Sequence, residues 1–189
     1  VVSEESDEKA KQRRTQAECY WLIDPLDGTK EFIRRNGEFT VNLALIHHGR
    51  PVFGIVHVPV QRLTYWGGLG LGSWRRSDQG QQAIKVSPPL PGQVLKVVGS
   101  RSHLTAETQV YLAGLGEYEL VSVGSSLKFC LLAEGRAHLY PRLGPTCEWD
   151  TAAAQAVVEG AGGHVETLEG EPLRYGKNEI LNPWFVART

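Results

Sequence analysis

The chain of 189 residues is 41% hydrophobic and 22% charged. That is the make-up of an ordinary folded domain, which excludes disordered and fibrous classes and leaves enough chain for a substantial core. A formal net charge of -1 excludes a global field that draws in nucleic acid or an anionic membrane, so any anionic ligand must be caught by local groups.

Three widely spaced cysteines, Cys19, Cys130 and Cys147, contain no C-x-x-C. They fit reduced thiols in a cytoplasmic protein, acting as small buried hydrophobes. No apolar run reaches the ~20 residues of a spanning helix, and the charged first residues do not read as a signal peptide.

Val1 to Glu5 has the pattern of a strand end entered from upstream. With no Met anywhere, the chain is expected to begin inside a larger fold. Ser6 to Glu18 is polar and charged, a solvated loop or a frayed surface helix. Tyr20 to Ile23 suits a buried strand ending at Asp24-Pro25, because a proline disfavours helix in the residue before it. Gly28 supplies a turn.

Phe39 to Ile46 and Val52 to Val58 are β-rich and are joined by His47 to Pro51 as a hairpin. Arg62 to Trp66 is a third strand. Gly67 to Gly72 is glycine-rich but no helical pattern opens after it, so a hairpin turn fits better than a dinucleotide loop. Ser87 to Gly92 is a proline-rich break. It suggests an N-terminal metal-binding lobe of residues 1–88 and a C-terminal α/β lobe of residues 89–189.

Beyond the break, strands are expected at Val94 to Gly99, Leu120 to Val123, Ala137 to Tyr140, Val165 to Leu168 and Trp184 to Ala187. Helices are expected at Thr105 to Leu115, Ser125 to Glu134 and Thr151 to Glu159, each followed by a glycine stop.

Four strings carry chemistry. Asp24-Pro25-Leu26-Asp27-Gly28-Thr29 sets two carboxylates three residues apart on a strand end and a tight turn. They can converge on a hard cation, which takes oxygen ligands at short range; an ordinary Asx-turn is the alternative. Asp150, in Trp149-Asp150-Thr151-Ala152, is an N-cap or a further metal ligand. Glu4, in Ser3-Glu4-Glu5-Ser6, is by itself a solvated charge. Gly124-Ser125-Ser126-Leu127-Lys128 opens a helix, whose unpaired amides receive phosphate well. Lys128 adds a charge there and Arg142 a bidentate clamp, unless this is only a capped helix with an exposed lysine. The six histidines show no zinc spacing; His103 is a weak candidate for the pocket.

Together these strings resemble the inositol monophosphatase superfamily of lithium-sensitive, Mg²⁺-dependent phosphatases. Asp24 to Phe32 (DPLDGTKEF), Arg35 to Val41 (RNGEFTV), Gly124 to Cys130 (GSSLKFC) and Leu139 to Arg142 (LYPR) resemble its bacterial CysQ-type 3'(2'),5'-bisphosphate nucleotidases. The resemblance runs from Ser3 almost to the C-terminus. It implies a layered α/β/α/β/α sandwich and hydrolysis of adenosine 3',5'-bisphosphate, a by-product of sulfate activation and transfer, to AMP and phosphate.

The resemblance also implies two or more Mg²⁺ ions, one held by Glu4, Asp24 and the Leu26 carbonyl, the other by Asp24, Asp27 and Asp150. Gly28 and Thr29 lie against the scissile phosphate, and Ser125, Lys128, Arg142 and His103 hold the nucleotide. Water activated by the cations attacks in line without a phosphoenzyme, with Thr29 orienting it. Such enzymes are cytoplasmic and in some cases peripheral on the inner membrane, although no basic amphipathic helix supports that here.

Family members carry a helical segment ahead of the Ser-Glu-Glu strand, with an acidic residue near the attacking water. An N-terminally truncated chain is therefore expected here, with exposed apolar surface; weak activity or none is one outcome open to it. The alternatives are an inositol monophosphatase-like phosphatase and a non-catalytic nucleotide-binding remnant.

Overall fold

The computed structural model describes residues 1–99 and 105–189. In chain order the first half contains β1 (Val2–Ser3), α1 (Glu8–Arg13) with a 3-10 turn at Arg14–Gln16, β2 (Cys19–Asp27), α2 (Thr29–Arg34), β3 (Thr40–His47), β4 (Arg50–Val58), β5 (Leu63–Gly68), β6 (Gly72–Ser77) and β7 (Gly80–Ile84). The second half contains β8 (Leu95–Gly99), α3 (Ala106–Ala113), β9 (Tyr118–Ser122), α4 (Leu127–Ala133), β10 (Leu139–Arg142), α5 (Glu148–Gly160), β11 (His164–Thr167) and β12 (Phe185–Arg188).

The strands form two sheets in a mixed α/β layered fold. The first runs β1 to β7 in sequence order; β1 is parallel to β2 and every other pair is antiparallel. The second has the order β11-β12-β10-β8-β9, with β8 parallel to both β9 and β10.

Helix α5 lies between the layers. Its residues Ala152, Ala153, Ala154, Ala156, Val157 and Val158 are all buried. The small side chains let the helix come close to the first sheet. A Cβ on Gly54 of β4 would stand 2.1 Å from the Ala153 carbonyl oxygen, so a larger residue there would push helix and strand apart. Phe129, Tyr140 and Phe185 fill the space between α4 and the second sheet, Phe129 and Tyr140 meeting edge to face at 5.0 Å.

Strand β3 shows the two faces of the first sheet. Thr40, Asn42, Ala44 and Ile46 are buried, while Val41, Leu43 and Leu45 between them are partly exposed. On that outer face Ile23, Leu43, Ile55, Trp66 and Trp74 stand opposite one another in a row across five strands. Trp74 is 37% exposed.

Three of the differences from the sequence expectation bear on the site. Strand β2 does not end at Pro25 but runs on to Asp27. The six-residue helix α2 was not foreseen, being too short to show a period. Helix α5 starts at Glu148, three residues earlier than expected, so Asp150 is its third residue and not its N-cap; Cys147 takes that place. Of the cysteines, Cys130 is buried and Cys147 half-buried, but Cys19 is exposed. Among the described residues no helix is long and apolar enough to cross a membrane.

Candidate metal and phosphate site

In a regular strand, side chains at i and i+3 point to opposite faces. Asp24 and Asp27 escape this because β2 is irregular between them. Asp24 pairs with Asn42 and Asp27 with Thr40, so three steps on β2 match two on β3. One extra residue in a strand is a β-bulge, and it returns Asp27 to the face that carries Asp24. Pro25, which has no N–H to give to the ladder, occupies the bulge with Leu26. The Leu26 N–H instead donates to Asp24 Oδ1 at 3.0 Å.

Asp150 reaches the same point from α5. Oxygens of Asp24, Asp27 and Asp150 all lie within 4.8 Å of one another. Asp24 is 1% exposed. Burial, then the charges of Asp27, Asp150 and Glu4, pushes its carboxyl up to about 9. Burial and the charge of Asp27 push Asp150 up to about 7. Three carboxyls crowded in this way favour either bound protons or a cation. An all-oxygen donor set suits a hard divalent cation and not zinc or copper, so the residues fit the metal that the resemblance implies.

Glu4 is placed beside the cluster by β1. Ser3 pairs with Ile23, and the Glu4 N–H donates to the Ile23 carbonyl at 3.1 Å. Its side chain is exposed and flanks the three convergent aspartates.

The amides at the start of α4 are expected to receive phosphate. One of them is engaged by Asp27: the Ser126 N–H and hydroxyl donate to Asp27 Oδ2 at 2.7 and 2.8 Å. Thr40 Oγ1 and Asn42 Nδ2 donate to the same oxygen at 3.0 and 3.3 Å. The Ser125 hydroxyl is likewise engaged, donating to the Glu38 carbonyl, while the Gly124 N–H donates to the Glu38 carboxylate at 2.8 Å.

Thr40, Asn42, Ser126 and Glu38 were therefore missed. The signal for two of them was present, since Thr40 and Asn42 are polar residues on the inward phase of an alternating strand.

Beside the carboxylates opens a cavity of about 240 Å³ whose walls include Gly28, Thr29, Ser125, Lys128, Arg142 and Asp150. Phe129 and Tyr140 add aromatic surface. Lys128 is buried and not the exposed lysine of the ordinary alternative; its Nζ donates to the Ser125 carbonyl at 2.6 Å and lies 5.5 Å from the Tyr140 ring centre. Burial lowers its pKa to about 8. Arg142 Nη2 donates to the Pro145 carbonyl at 2.8 Å, and its buried Nε has no hydrogen-bond partner among the described residues. The structure thus brings Asp24, Asp27, Asp150, Gly28, Thr29, Ser125, Lys128 and Arg142 to one locality. His103 lies outside the described residues.

A carboxylate cluster able to hold a cation, next to a pocket that lysine and arginine help to line, is an arrangement suited to a metal-dependent phosphatase. The comparisons agree. The sequence pattern of the inositol monophosphatase family matches residues 1–184, and the chain belongs to that family. It is 52% identical over 189 residues to the 3'(2'),5'-bisphosphate nucleotidase CysQ of Escherichia coli (strain K12), spanning 98% of this chain and 74% of that protein. It is 36% identical to the same-named protein of Haemophilus influenzae, over 98% of this chain and 70% of that one.

Among solved structures, CysQ from Bacteroides thetaiotaomicron superposes with a TM-score of 0.91 at 42% identity, covering 100% of this chain and 76% of that one. Inositol monophosphatase II of Staphylococcus aureus, at 19% identity with a TM-score of 0.80, covering 100% of this chain and 68% of that one, shares the fold.

Proposed function

We propose that this chain hydrolyses the 3'-phosphate ester of adenosine 3',5'-bisphosphate, with Mg²⁺ ions held by Glu4, Asp24, Asp27, Asp150 and the Leu26 carbonyl. The observation that carries this reading is the convergence of Asp24, Asp27 and Asp150 within 4.8 Å beside a pocket that Lys128 and Arg142 help to line. The reaction breaks the P–O3' bond; water supplies the oxygen added to phosphorus, and the 3' oxygen leaves as the hydroxyl of AMP. When bound, Mg²⁺ would neutralise the phosphoryl oxygens, lower the pKa of water and stabilise the leaving oxygen.

The chain's own residues do the rest. The lobe of residues 1–88 supplies Asp24 and Asp27, and it sets Thr29 at the start of α2, lining the pocket, where its hydroxyl orients the attacking water. Gly28, in the left-handed region at φ 89°, lets the backbone turn there without a side chain between the metal site and the phosphate. The lobe of residues 89–189 supplies Asp150, and it supplies Lys128 and Arg142, whose positive charges receive the second phosphate.

Similarity to the CysQ nucleotidases at 52% identity favours the nucleotide over inositol phosphate. The test is phosphate release with Mg²⁺ from adenosine 3',5'-bisphosphate and, separately, from inositol 1-phosphate, each with and without Li⁺. Fast, Li⁺-sensitive release from the nucleotide is expected. Preference for inositol 1-phosphate would make the chain an inositol monophosphatase. Release from neither by the folded protein would make it a binder.

A further inference from the structure

We propose that Glu148, gripped by Arg14 and Lys177, is a positioning residue that fixes Asp150 in the carboxylate cluster. The proposal rests on the metal-site reading above.

Asp150 sits in the first turn of α5, the part of a helix that frays because its amides lack intrahelical partners. Its N-cap is Cys147, which forms a capping box with Asp150 although cysteine lies outside the set that caps best. Asp150 Oδ2 already accepts from the Cys147 N–H at 2.7 Å, so the aim of the carboxylate depends on how firmly that turn is held.

Glu148 shares in holding it, beside its own N–H on the Ile180 carbonyl at 2.9 Å and Asn182 Nδ2 on the Cys147 carbonyl at 2.8 Å. The Glu148 side chain is fully buried, at 0% exposure. Oε2 accepts from Arg14 Nε at 3.1 Å and from the Gly176 N–H at 3.1 Å. Oε1 accepts from the Lys177 N–H at 3.1 Å and from Lys177 Nζ at 2.7 Å. A carboxylate has about four acceptor sites, and all are taken, so Glu148 has none left for a metal. It acts through Asp150 and not on substrate.

Arg14 spreads the grip. It is 4% exposed, and its two terminal nitrogens donate to the carbonyls of Lys11 and Lys177. Lys11 Nζ also lies 5.2 Å from the Trp149 ring centre. One buried carboxylate thus joins the start of α5 to the segment that follows Glu4 and to the 176–177 turn.

A buried ion pair is weak support for stability, since a packed apolar residue serves as well. What the four donors, Arg14 Nε among them, supply is one direction for the helix start, two residues ahead of a metal ligand.

The experiment compares Glu148→Gln, Arg14→Met and Arg14→Lys with the wild-type chain. Mg²⁺ binding is measured by calorimetry, turnover of adenosine 3',5'-bisphosphate against Mg²⁺ concentration, and thermal melting as a check of folding. Loss of such an outer partner is expected to weaken Mg²⁺ binding by about 10–100-fold in Glu148→Gln and Arg14→Met. The Mg²⁺ needed for half-maximal turnover should rise in step, and KM for the nucleotide at saturating Mg²⁺ should stay unchanged. Arg14→Lys keeps the charge and should recover part of the affinity. Variants that melt lower yet bind Mg²⁺ as the wild type does would overturn the proposal and leave Glu148 a structural residue. A wild-type chain that binds no Mg²⁺ would overturn the metal-site reading as well.

Discussion

The cluster is carried by two supports of different kinds. Asp24 and Asp27 stand on β2, a strand paired on both sides, and the backbone aims them through the bulge between them. Asp150 stands on the first turn of a helix and is aimed by side chains, through Glu148 and its four donors. The strand-borne pair is thus written into adjacent residues. The helix-borne ligand depends on a contact between residues 134 positions apart. Changes on the strand side should act on the ligands directly, while changes on the helix side should act on their placement.

The largest effect is expected from Asp24→Asn, which removes a charge from the centre of the site. Its loss of turnover should exceed the roughly 100-fold that loss of an outer partner costs. Melting should hold or rise, because a buried carboxyl that burial and its neighbours disfavour has been neutralised. Parallel assays of phosphate release and thermal melting check both halves.

Asn42→Ala comes next. It takes one of four donors from Asp27 Oδ2 and should weaken Mg²⁺ binding by about 10-fold or somewhat more, as read by calorimetry. A loss as large as that of Asp24→Asn would mean that the backbone does not aim the pair by itself.

Gly28→Ala is expected to act more gently. A left-handed φ costs an L-residue roughly 1–2 kcal/mol, and the new Cβ would stand 3.2 Å from Ser125 Cβ. A lowered melting temperature with reduced turnover checks it.

The last test is a slope of stability with pH. Burial and neighbouring charges hold Asp24 at about 9 and Asp150 at about 7, against an ordinary 3.8. Between these values the folded chain binds more protons than the unfolded one. The metal-free protein should therefore lose stability as pH rises from about 4 to about 9, and saturating Mg²⁺ should flatten or reverse that slope. Melting curves with chelator and with Mg²⁺ at several pH values measure it.

The contrast between the two supports also explains what could be read from the sequence. Asp24-Pro25-Leu26-Asp27-Gly28-Thr29 was legible because its geometry is local: proline, glycine and two carboxylates lie within six residues. The β3–β4 hairpin was legible for the same reason, through alternation and a turn at His48-Gly49. Thr40 and Asn42 were readable in principle, as polar residues on the inward phase of β3. The start of α5 was obscured by its unusual cysteine cap, which moved Asp150 from third helical residue to cap. The grip of Arg14 on Glu148 leaves no trace in spacing, since only the folded chain brings them together.

The most direct test of the account is a calorimetric titration of the metal-free wild-type chain with Mg²⁺, beside Asp24→Asn. Saturable binding with proton release near neutral pH, lost in the variant, is the result expected of a cluster built from Asp24, Asp27 and Asp150. Equal binding by both proteins, or none by the folded wild type, would contradict it.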